Sequence, residues 1–297
     1  KSELIKTELS ILIPCYNCQC VELVKALDVQ CEDIEGLRYE IIVADDGSTD
    51  KHTCHINKEI LELENARYIL RKENVGRAAI RNFLADEASY EWLLFIDSDM
   101  TMLLDDFILH YIELDNSFKV AYGGYQLGNG AISNLRYLYE KNAVRKGLPK
   151  SRKQNAYSNL HTANLLINRM TALAHPFDER FKHYGYEDVL LGKRLSEDDI
   201  SFAQINNPLL FDKFESNSRF VEKTEEAMRT LYTFQTDLKG FSPLLDTVHE
   251  MKRFHLQGLF LSFWKTRKES WRAKLCGTHP NLKLYKLYKL GYFISLF

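Results

Sequence analysis

The stretch that decides the fold is Trp92–Met100, which reads Trp-Leu-Leu-Phe-Ile-Asp-Ser-Asp-Met. Its five consecutive apolar residues, Trp92–Ile96, are followed at once by the carboxylates Asp97 and Asp99. A short apolar run of this kind predicts a strand buried on both faces, as in a parallel sheet.

Earlier segments alternate in the same way. Strands are predicted at Leu9–Pro14, Tyr39–Ala44 and Ala66–Leu70, and helices at Val21–Gln30, Lys51–Glu64 and Gly76–Ala88. This order predicts an α/β fold with a central, mostly parallel sheet flanked by helices. In such sheets, ligands bind at the carboxyl ends of the strands.

The pattern changes after Thr101. We expect helices at Leu104–Leu114, Asn134–Ala143 and Tyr186–Arg194, strands at Val120–Tyr125 and Asn164–Asn168, and a basic loop at Lys146–Asn159. From about Thr224 the chain is predicted to be mostly helical.

Composition excludes some classes of function. The 297 residues carry a formal net charge of -2, so nucleic acid is not an expected partner. No apolar run approaches the roughly 20 residues that cross a bilayer. Lys1–Ser10 is charged and lacks an apolar core, so we expect no secretory signal there.

Asp97 and Asp99 form the first candidate site. Residues two apart in an extended chain point the same way, so their carboxylates suit one hard cation, Mg²⁺ or Mn²⁺. Such a cation would stabilise a diphosphate leaving group. The alternative is a solvated loop in which an Asp caps a helix.

Two further segments are candidates for binding a nucleotide. Asp45 and Asp46 end a strand, where an acid accepts hydrogen bonds from a base or a ribose; the alternative is an ordinary turn and helix cap. Arg77 and Arg81 lie at the start of a helix behind Gly76, which suits a phosphate. The alternative there is ordinary surface charge.

Glu187 and Asp188 follow a glycine turn that is flanked by aromatic residues and opens a helix. A carboxylate in this position can take the proton of an acceptor hydroxyl, and aromatic rings can stack on a sugar. The alternative is a capped helix whose acids satisfy its dipole.

Taken together, five motifs occur in an order that resembles the family-2 inverting glycosyltransferases of the GT-A fold. The matching segments are Ser10–Asn17, Ile42–Asp50, Asn74–Asn82, Leu94–Asp99, and Phe177–Glu179 with Gly185–Asp188. The resemblance covers about residues 8–222. It implies a GT-A catalytic domain at 1–222, with a nucleotide-binding half at about 1–100, an acceptor half at about 101–222, and a helical C-terminal extension at 223–297.

The resemblance also implies roles on the donor side. Tyr16, Asp46 and the backbone of Pro14 would hold the base, and Arg77 would lie near the nucleotide or its phosphates. Asp97 would approach the ribose and share in binding the metal.

On the reaction side, the resemblance makes Asp99 a ligand of Mn²⁺ or Mg²⁺, Asp188 the general base, and Glu187 an orienting residue. The reaction would transfer a sugar, with inversion, from a UDP-sugar donor to a saccharide or lipid-linked acceptor. A role in surface polysaccharide synthesis and a cytoplasmic location follow by the same association.

Two positions depart from the family pattern. Asp212 stands where relatives carry a metal-binding His, so it is either a replacement ligand or a lost contact. Tyr184 stands where relatives often have Trp, which leaves the donor sugar undetermined. His161 and Asn164 lie on the expected acceptor side, although a lone His is more often structural.

The C-terminal segments Lys252–Lys274 and Leu282–Leu290 mix aromatic with basic residues. Such helices lie in membrane interfaces, which predicts peripheral contact with the inner face of a membrane. The alternative is a helix that packs on the catalytic domain or on a homodimer partner.

Three other classes of function remain as alternatives. A sugar nucleotidyltransferase would carry a glycine-rich phosphate loop, which Pro14–Asn17 is not. An inactive nucleotide-sugar-binding protein would not need Asp188. A redox or zinc protein would use Cys15, Cys18 and Cys20, although reduced, partly buried thiols are the simpler interpretation.

Overall fold

The computed structural model describes residues 5–146 and 157–297. The strands, in chain order, are β1 Glu8–Cys15, β2 Arg38–Asp45, β3 Ala66–Leu70, β4 Trp92–Ile96, β5 Val120–Tyr122, β6 Tyr125–Leu127, β7 Asn164–Asn168, β8 Phe202–Gln204 and β9 Leu209–Phe211. The helices are α1 Val21–Glu32, α2 Lys51–Asn57, α3 Arg77–Glu87, α4 Phe107–Ile112, α5 Leu135–Lys146, α6 Arg169–Ala174, α7 Glu187–Glu197, α8 Asn217–Thr233, α9 Pro243–Arg253, α10 Gln257–Cys276 and α11 Leu282–Ile294.

Within the described residues, seven strands form the main sheet in the order β3-β2-β1-β4-β7-β5-β8. β3, β2, β1 and β4 are parallel, with Ile11 paired to Ile41 on one side and Leu94 on the other. β7 runs antiparallel to both β4 and β5. The predicted α/β fold with a mostly parallel sheet flanked by helices is therefore confirmed.

The central strands of the parallel half are buried on both faces, as in parallel sheets covered by helices. Leu9 and Ile11–Ile13 in β1 and the whole of β4 are buried, and helices follow each strand. The order β3-β2-β1-β4 makes the carboxyl ends of these strands neighbours at one edge of the sheet.

Several elements differ from their predicted extents; the helix expected at Leu104–Leu114, for example, covers only Phe107–Ile112, and two differences are larger. The helix expected at Lys51–Glu64 ends at Asn57 and continues as a 3₁₀ turn, Lys58–Glu62, where the buried Asn57 side chain bonds the backbone of Cys18 and Cys20. The strand expected at Val120–Tyr125 is interrupted, so that β5 and β6 belong to different sheets.

The interruption is explained by Asn164, which is buried beside it. Its side-chain amide donates to the carbonyls of Gly124 and Asn207 at 2.8 Å each, while its carbonyl accepts from Tyr111 at 2.6 Å. β6 then pairs in parallel with β9. The basic loop predicted at Lys146–Asn159 lies mostly outside the described residues.

The chain divides into two compact units. The first contains residues 1–128, 151–182 and 191–212, and the second contains 129–150, 183–190 and 213–297. The main sheet belongs to the first unit. The predicted catalytic domain at 1–222 with an extension at 223–297 stays a proposal.

The second unit has its own core, formed by α5, α8, α10 and α11. Its buried members are Leu135, Phe220, Val221, Trp264, Trp271, Leu275, Tyr285 and Tyr288. The helical C-terminal region is thus confirmed, and α11 turns Tyr285 and Tyr288 into this core. No helix in the described parts of the chain is long and apolar enough to cross a membrane.

Candidate active site

The loops after β1 and β2 are joined by Asn17. Its side-chain carbonyl accepts from the backbone N–H groups of Thr49 and Asp50 at 2.9 Å each, and its amide donates to the Thr49 hydroxyl at 3.1 Å. Asn17 adopts a left-handed backbone (φ 48°), which Asn tolerates better than most residues. The loop leaves the neighbouring Tyr16 47% exposed.

Asp45 and Asp46, both buried, end β2 with different contacts. Asp45 accepts from the backbone of Ser48 at 2.7 Å and from the Tyr68 hydroxyl at 2.6 Å. Asp45 therefore fixes the turn that follows β2.

Asp46 instead reaches the loop before α3, accepting from the backbone N–H groups of Val75 at 2.9 Å and Gly76 at 3.1 Å. Burial raises the pKa of Asp46, and these two bonds oppose that shift. Gly47 lets the two loops meet, since a Cβ there would lie 2.7 Å from the Glu73 backbone.

Arg77, the first residue of α3, is exposed, and its helix-mate Arg81 is buried. The Arg81 guanidinium donates to Asp97 at 2.7 Å. It also lies 5.7 Å from the centre of the Phe177 ring. Arg81 therefore orients the first acid of the Asp97–Asp99 pair.

Asn82 on α3 holds the segment that begins at Phe177. Its amide and carbonyl exchange bonds of 2.9 Å with the Phe177 backbone, and the amide also donates to Glu179 at 3.0 Å. Asp178 accepts from Arg180 and Arg194 instead. Hydrogen bonds from Arg180 lower the pKa of Asp178 to about 2.

Asp99 and Asp212 lie near one backbone bridge. Thr101 and Leu210 exchange N–H···O bonds of 2.9 and 2.8 Å in an antiparallel bridge. Asp99 is two residues before Thr101 and Asp212 two residues after Leu210, so both acids leave the same end of this bridge. Asp212 is exposed and packs over Gly128, where an added Cβ would lie 2.5 Å from the Cβ of Asp212.

Asp99 and Asp212 offer only a few oxygen ligands for a hard cation. Within residues 5–146 and 157–297, no group of three or more His, Cys, Asp or Glu side chains is placed to hold a metal. Mg²⁺ is commonly held by only one or two carboxylates together with the phosphates of a substrate. The chemistry of Asp99 and Asp212 fits a cation of that kind.

Glu187 and Asp188 belong to the second unit, in the first turn of α7. Glu187 is buried, whereas Asp188 is half-buried and accepts from the Val189 backbone at 2.8 Å. The turn before them is fixed by α8, because the Tyr184 N–H donates to Glu226 at 2.9 Å and the Thr230 hydroxyl donates to the Tyr184 carbonyl at 3.1 Å.

On the expected acceptor side, His161 and Asn164 differ. His161 is exposed, with edge contacts to the rings of Tyr122 and Tyr125 at 6.0 and 6.4 Å. Asn164 is buried, and its hydrogen bonds maintain the break between β5 and β6.

The cysteines that suggested redox or zinc chemistry have structural contacts. Cys15 and Cys20 are buried beside Asn57, whose amide donates to the Cys15 sulfur at 3.6 Å. Cys18 donates to the Ser98 carbonyl at 3.4 Å. All six cysteines of the chain are free thiols.

The structure therefore brings Pro14, Tyr16, Asp45, Asp46 and Asp97 to neighbouring strand ends in the first unit, and Arg77 follows the Gly76 that bonds Asp46. The supporting asparagines Asn17 and Asn82 were not predicted to have a role. Both occur within the quoted motifs, but their bonds join segments far apart in the sequence. The sequence alone shows only that Asn17 comes shortly after a strand and that Asn82 lies within a helix, which does not reveal their bonding partners.

A parallel half-sheet with acids at its carboxyl edge, continued by antiparallel β7 and followed by helices, defines the GT-A class of nucleotide-sugar enzymes. The sequence profile described as Glycosyl transferase family 2 matches residues 10–172, and the chain belongs to that family.

Known proteins resemble the chain in sequence and in fold. It is 24% identical to the chondroitin synthase of Escherichia coli over 245 residues, which are 71% of this chain and 35% of that protein. The chain spans about a third of the length of two curated relatives that it matches.

Solved structures share the fold at low identity. S. aureus TarS 1-349 in complex with UDP-GlcNAc superposes with a TM-score of 0.57 at 16% identity, over 97% of this chain and 90% of that chain. The mannosyltransferase PcManGT from Pyrobaculum calidifontis, in complex with GDP-Man and Mn²⁺, gives a TM-score of 0.54 at 14% identity, over 97% and 80%.

Proposed function

We propose that this glycosyltransferase moves a sugar, with inversion, from a UDP-sugar to a hydroxyl group of a saccharide or lipid-linked acceptor. The observation that carries the proposal is that Tyr16, Asp46 and Asp97 follow the ends of adjacent strands, with Arg77 directly after the Gly76 that bonds Asp46. That edge is where nucleotides bind in open α/β sheets.

On the donor side, the exposed ring of Tyr16 and the loop fixed by Asp46 would hold the base, with the Pro14 backbone beside them. Arg77 would face the nucleotide or its phosphates from the start of α3, where the helix dipole also favours an anion. Asp45 would act by fixing the turn, because its contacts are with Ser48 and Tyr68.

Asp99 and Asp212, with Asp97 nearby in the chain, would hold Mn²⁺ or Mg²⁺. When bound, such a cation would neutralise the diphosphate leaving group. Arg81 would keep the Asp97 carboxylate oriented toward the donor. Support for the metal is the small set of hard oxygen ligands that Asp99 and Asp212 supply at the same end of the Thr101–Leu210 bridge.

Asp188 is proposed as the general base, with Glu187 orienting the donor sugar or the acceptor. The acceptor oxygen would bond to the anomeric carbon as the bond from that carbon to the diphosphate breaks, and the hydroxyl proton would pass to Asp188. Asp188 lies in the first turn of α7, where a negative charge is favourable.

We infer the class of donor and the class of product from the names of similar proteins. A relative named chondroitin synthase and a structural neighbour that holds UDP-GlcNAc support a UDP-sugar and a polysaccharide product. We therefore infer a role in surface polysaccharide synthesis.

The free thiols are usual for a protein of the reducing cytoplasm. We place the enzyme there, at the inner face of the membrane, with the C-terminal segment as its contact with lipid. A homodimer through the same segment is the alternative arrangement.

Replacing Asp188 with Asn tests the reaction. The variant is expected to bind UDP with wild-type affinity and to lose about 10²- to 10⁴-fold in turnover, because only the proton acceptor is removed. Asp86→Asn, at an exposed position of α3, is the matched control. Full turnover by Asp188→Asn, or UDP binding without turnover by the wild type, would contradict the proposal.

A further inference from the structure

An apolar corner is exposed where α9 meets α10. Phe254 is 60% exposed, Leu256 50%, Leu259 75% and Phe263 50%. His255, with φ at 57°, turns the chain sharply between the two helices. These four side chains, which we name the α9–α10 corner, therefore project from one short stretch of chain.

The α9–α10 corner is not needed for the core of its own unit. Further along α10, Trp264, Trp271 and Leu275 are turned inward and buried in that core. α10 thus has an inward apolar face and, at its first two turns, a second apolar surface that is left in solvent.

The stretch of chain that carries the corner has charge of one sign, and the acids Glu250 and Glu269 lie just outside its two ends. Residues 252–268 contain five Lys or Arg and no Asp or Glu, in a chain whose net charge is -2. Some of these cations lie against the exposed rings: Arg253 is 5.7 Å from the centre of the Phe254 ring and Arg267 is 5.5 Å from that of Phe263. The apolar surface is therefore rimmed by positive charge.

We propose that the α9–α10 corner docks onto the surface of an anionic lipid bilayer. Exposed Leu and Phe side chains gain by leaving water for the acyl boundary, and Lys and Arg beside them are attracted to acidic headgroups. The inference specifies the surface behind the proposed peripheral location, and it does not depend on the proposed reaction.

Charge favours a bilayer over a second copy of the chain. A symmetric dimer places the same patch of both copies face to face. Here that would bring two sets of five cations together, which destabilises the contact. An anionic membrane supplies the opposite charge over the whole patch.

The corner also differs from α11, where the repeated Lys and Leu residues suggested membrane contact equally well. Tyr285 and Tyr288 are buried there, and Leu287 is left 42% exposed among exposed lysines. α11 follows the alternative of a helix that packs its apolar face, and Leu287 provides a matched control.

Flotation of the full chain with vesicles tests the inference. The wild type is expected to float with vesicles containing phosphatidylglycerol and to bind phosphatidylcholine vesicles at least 10-fold more weakly. Leu259→Glu combined with Phe263→Glu should reduce binding to the anionic vesicles at least 10-fold, whereas Leu287→Glu should leave it within 2-fold. Arg253→Gln with Arg267→Gln should weaken binding and reduce its dependence on salt.

Circular dichroism and nucleotide release in vesicle-free buffer show whether each variant is folded and active, so failure of docking is separable from failure of the proposed reaction. Equal loss in Leu287→Glu, or unchanged flotation of the Leu259/Phe263 variant, would overturn the proposal. So would a wild-type dimer, seen by sedimentation, that the same double variant dissociates while lipid binding is absent.

Discussion

Arg81 donates a 2.7 Å hydrogen bond to Asp97 from a side chain that is 2% exposed. This ion pair joins α3 to the loop after β4 in the first unit. The buried guanidinium of Arg81 needs an opposite charge, and the Asp97 carboxylate provides it. Asp97 also lies at the candidate donor site. The fold and the site therefore depend on the same pair.

Breaking the Arg81–Asp97 pair should destabilise the protein strongly. Arg81→Met is expected to lower the free energy of unfolding by about 3 kcal/mol, because the half-buried Asp97 carboxylate loses a charged partner. Urea unfolding checks this value. Arg67→Met, which removes an exposed ion pair with Glu87, is the control and should cost under about 1 kcal/mol. An equal loss in the free energy of unfolding for the two variants would show that the Arg81–Asp97 pair stabilises the fold no more than an exposed pair.

Asp99 and Asp212 should act on the metal together. Asp99→Asn and Asp212→Asn are each expected to raise the Mn²⁺ concentration needed for half-maximal activity by about 10- to 100-fold, because a charged ligand becomes neutral. In the double variant the two effects should not add, since ligands of one ion are coupled. Asp105→Asn, at an exposed position, is the control. If Asp212→Asn leaves the Mn²⁺ requirement unchanged, Asp212 does not bind the metal.

Asn17 should affect donor binding more than turnover. Asn17→Ala removes three hydrogen bonds that hold the loops of Tyr16 and Asp46, so KM for the donor should rise several-fold while kcat changes little. Asn17→Asp keeps the acceptor and should recover part of the loss. A drop in kcat alone, with KM unchanged, would be inconsistent with a role in positioning these loops.

Asp178 should make stability depend on pH. Its pKa is lowered from 3.8 to about 2 in the folded protein, so its bonds with Arg180 and Arg194 stabilise the fold above about pH 4 and are lost as the pH falls toward 2. Asp178→Asn is therefore expected to cost about 1–2 kcal/mol at pH 7 after allowance for solvent screening, and less at pH 3. Urea unfolding at both pH values checks this, and a cost that grew at pH 3 would contradict it.

Local patterns were enough to predict the parallel half of the sheet. The run Trp92–Ile96 became β4 in that half, and the run Asn164–Asn168 became the antiparallel β7, both with the predicted bounds, because each run is buried throughout. The same reasoning placed Asp45, Asp46 and Asp97 at the edge where strands end.

Contacts between distant segments could not be predicted in this way. The helix at Lys51 ends early because Asn57 bonds the backbone of Cys20, 37 residues away, and Asn164 interrupts a strand some 40 residues before it. α10 and α11 have similar basic and aromatic compositions, yet some of their apolar residues are buried and others are exposed. Which residues are buried is decided by the packing of Trp264 and Tyr285 in the core of the second unit, and composition does not reveal it.

The most direct test of the account is the release of nucleotide from a panel of UDP- and GDP-sugars by the wild-type protein, with Mn²⁺ present and after chelation. We expect UDP to be released from at least one UDP-sugar with Mn²⁺, to stop on chelation, and to resume when Mn²⁺ is restored. Equal release with and without the metal, or release from GDP-sugars alone, would contradict a metal-dependent UDP-sugar transferase.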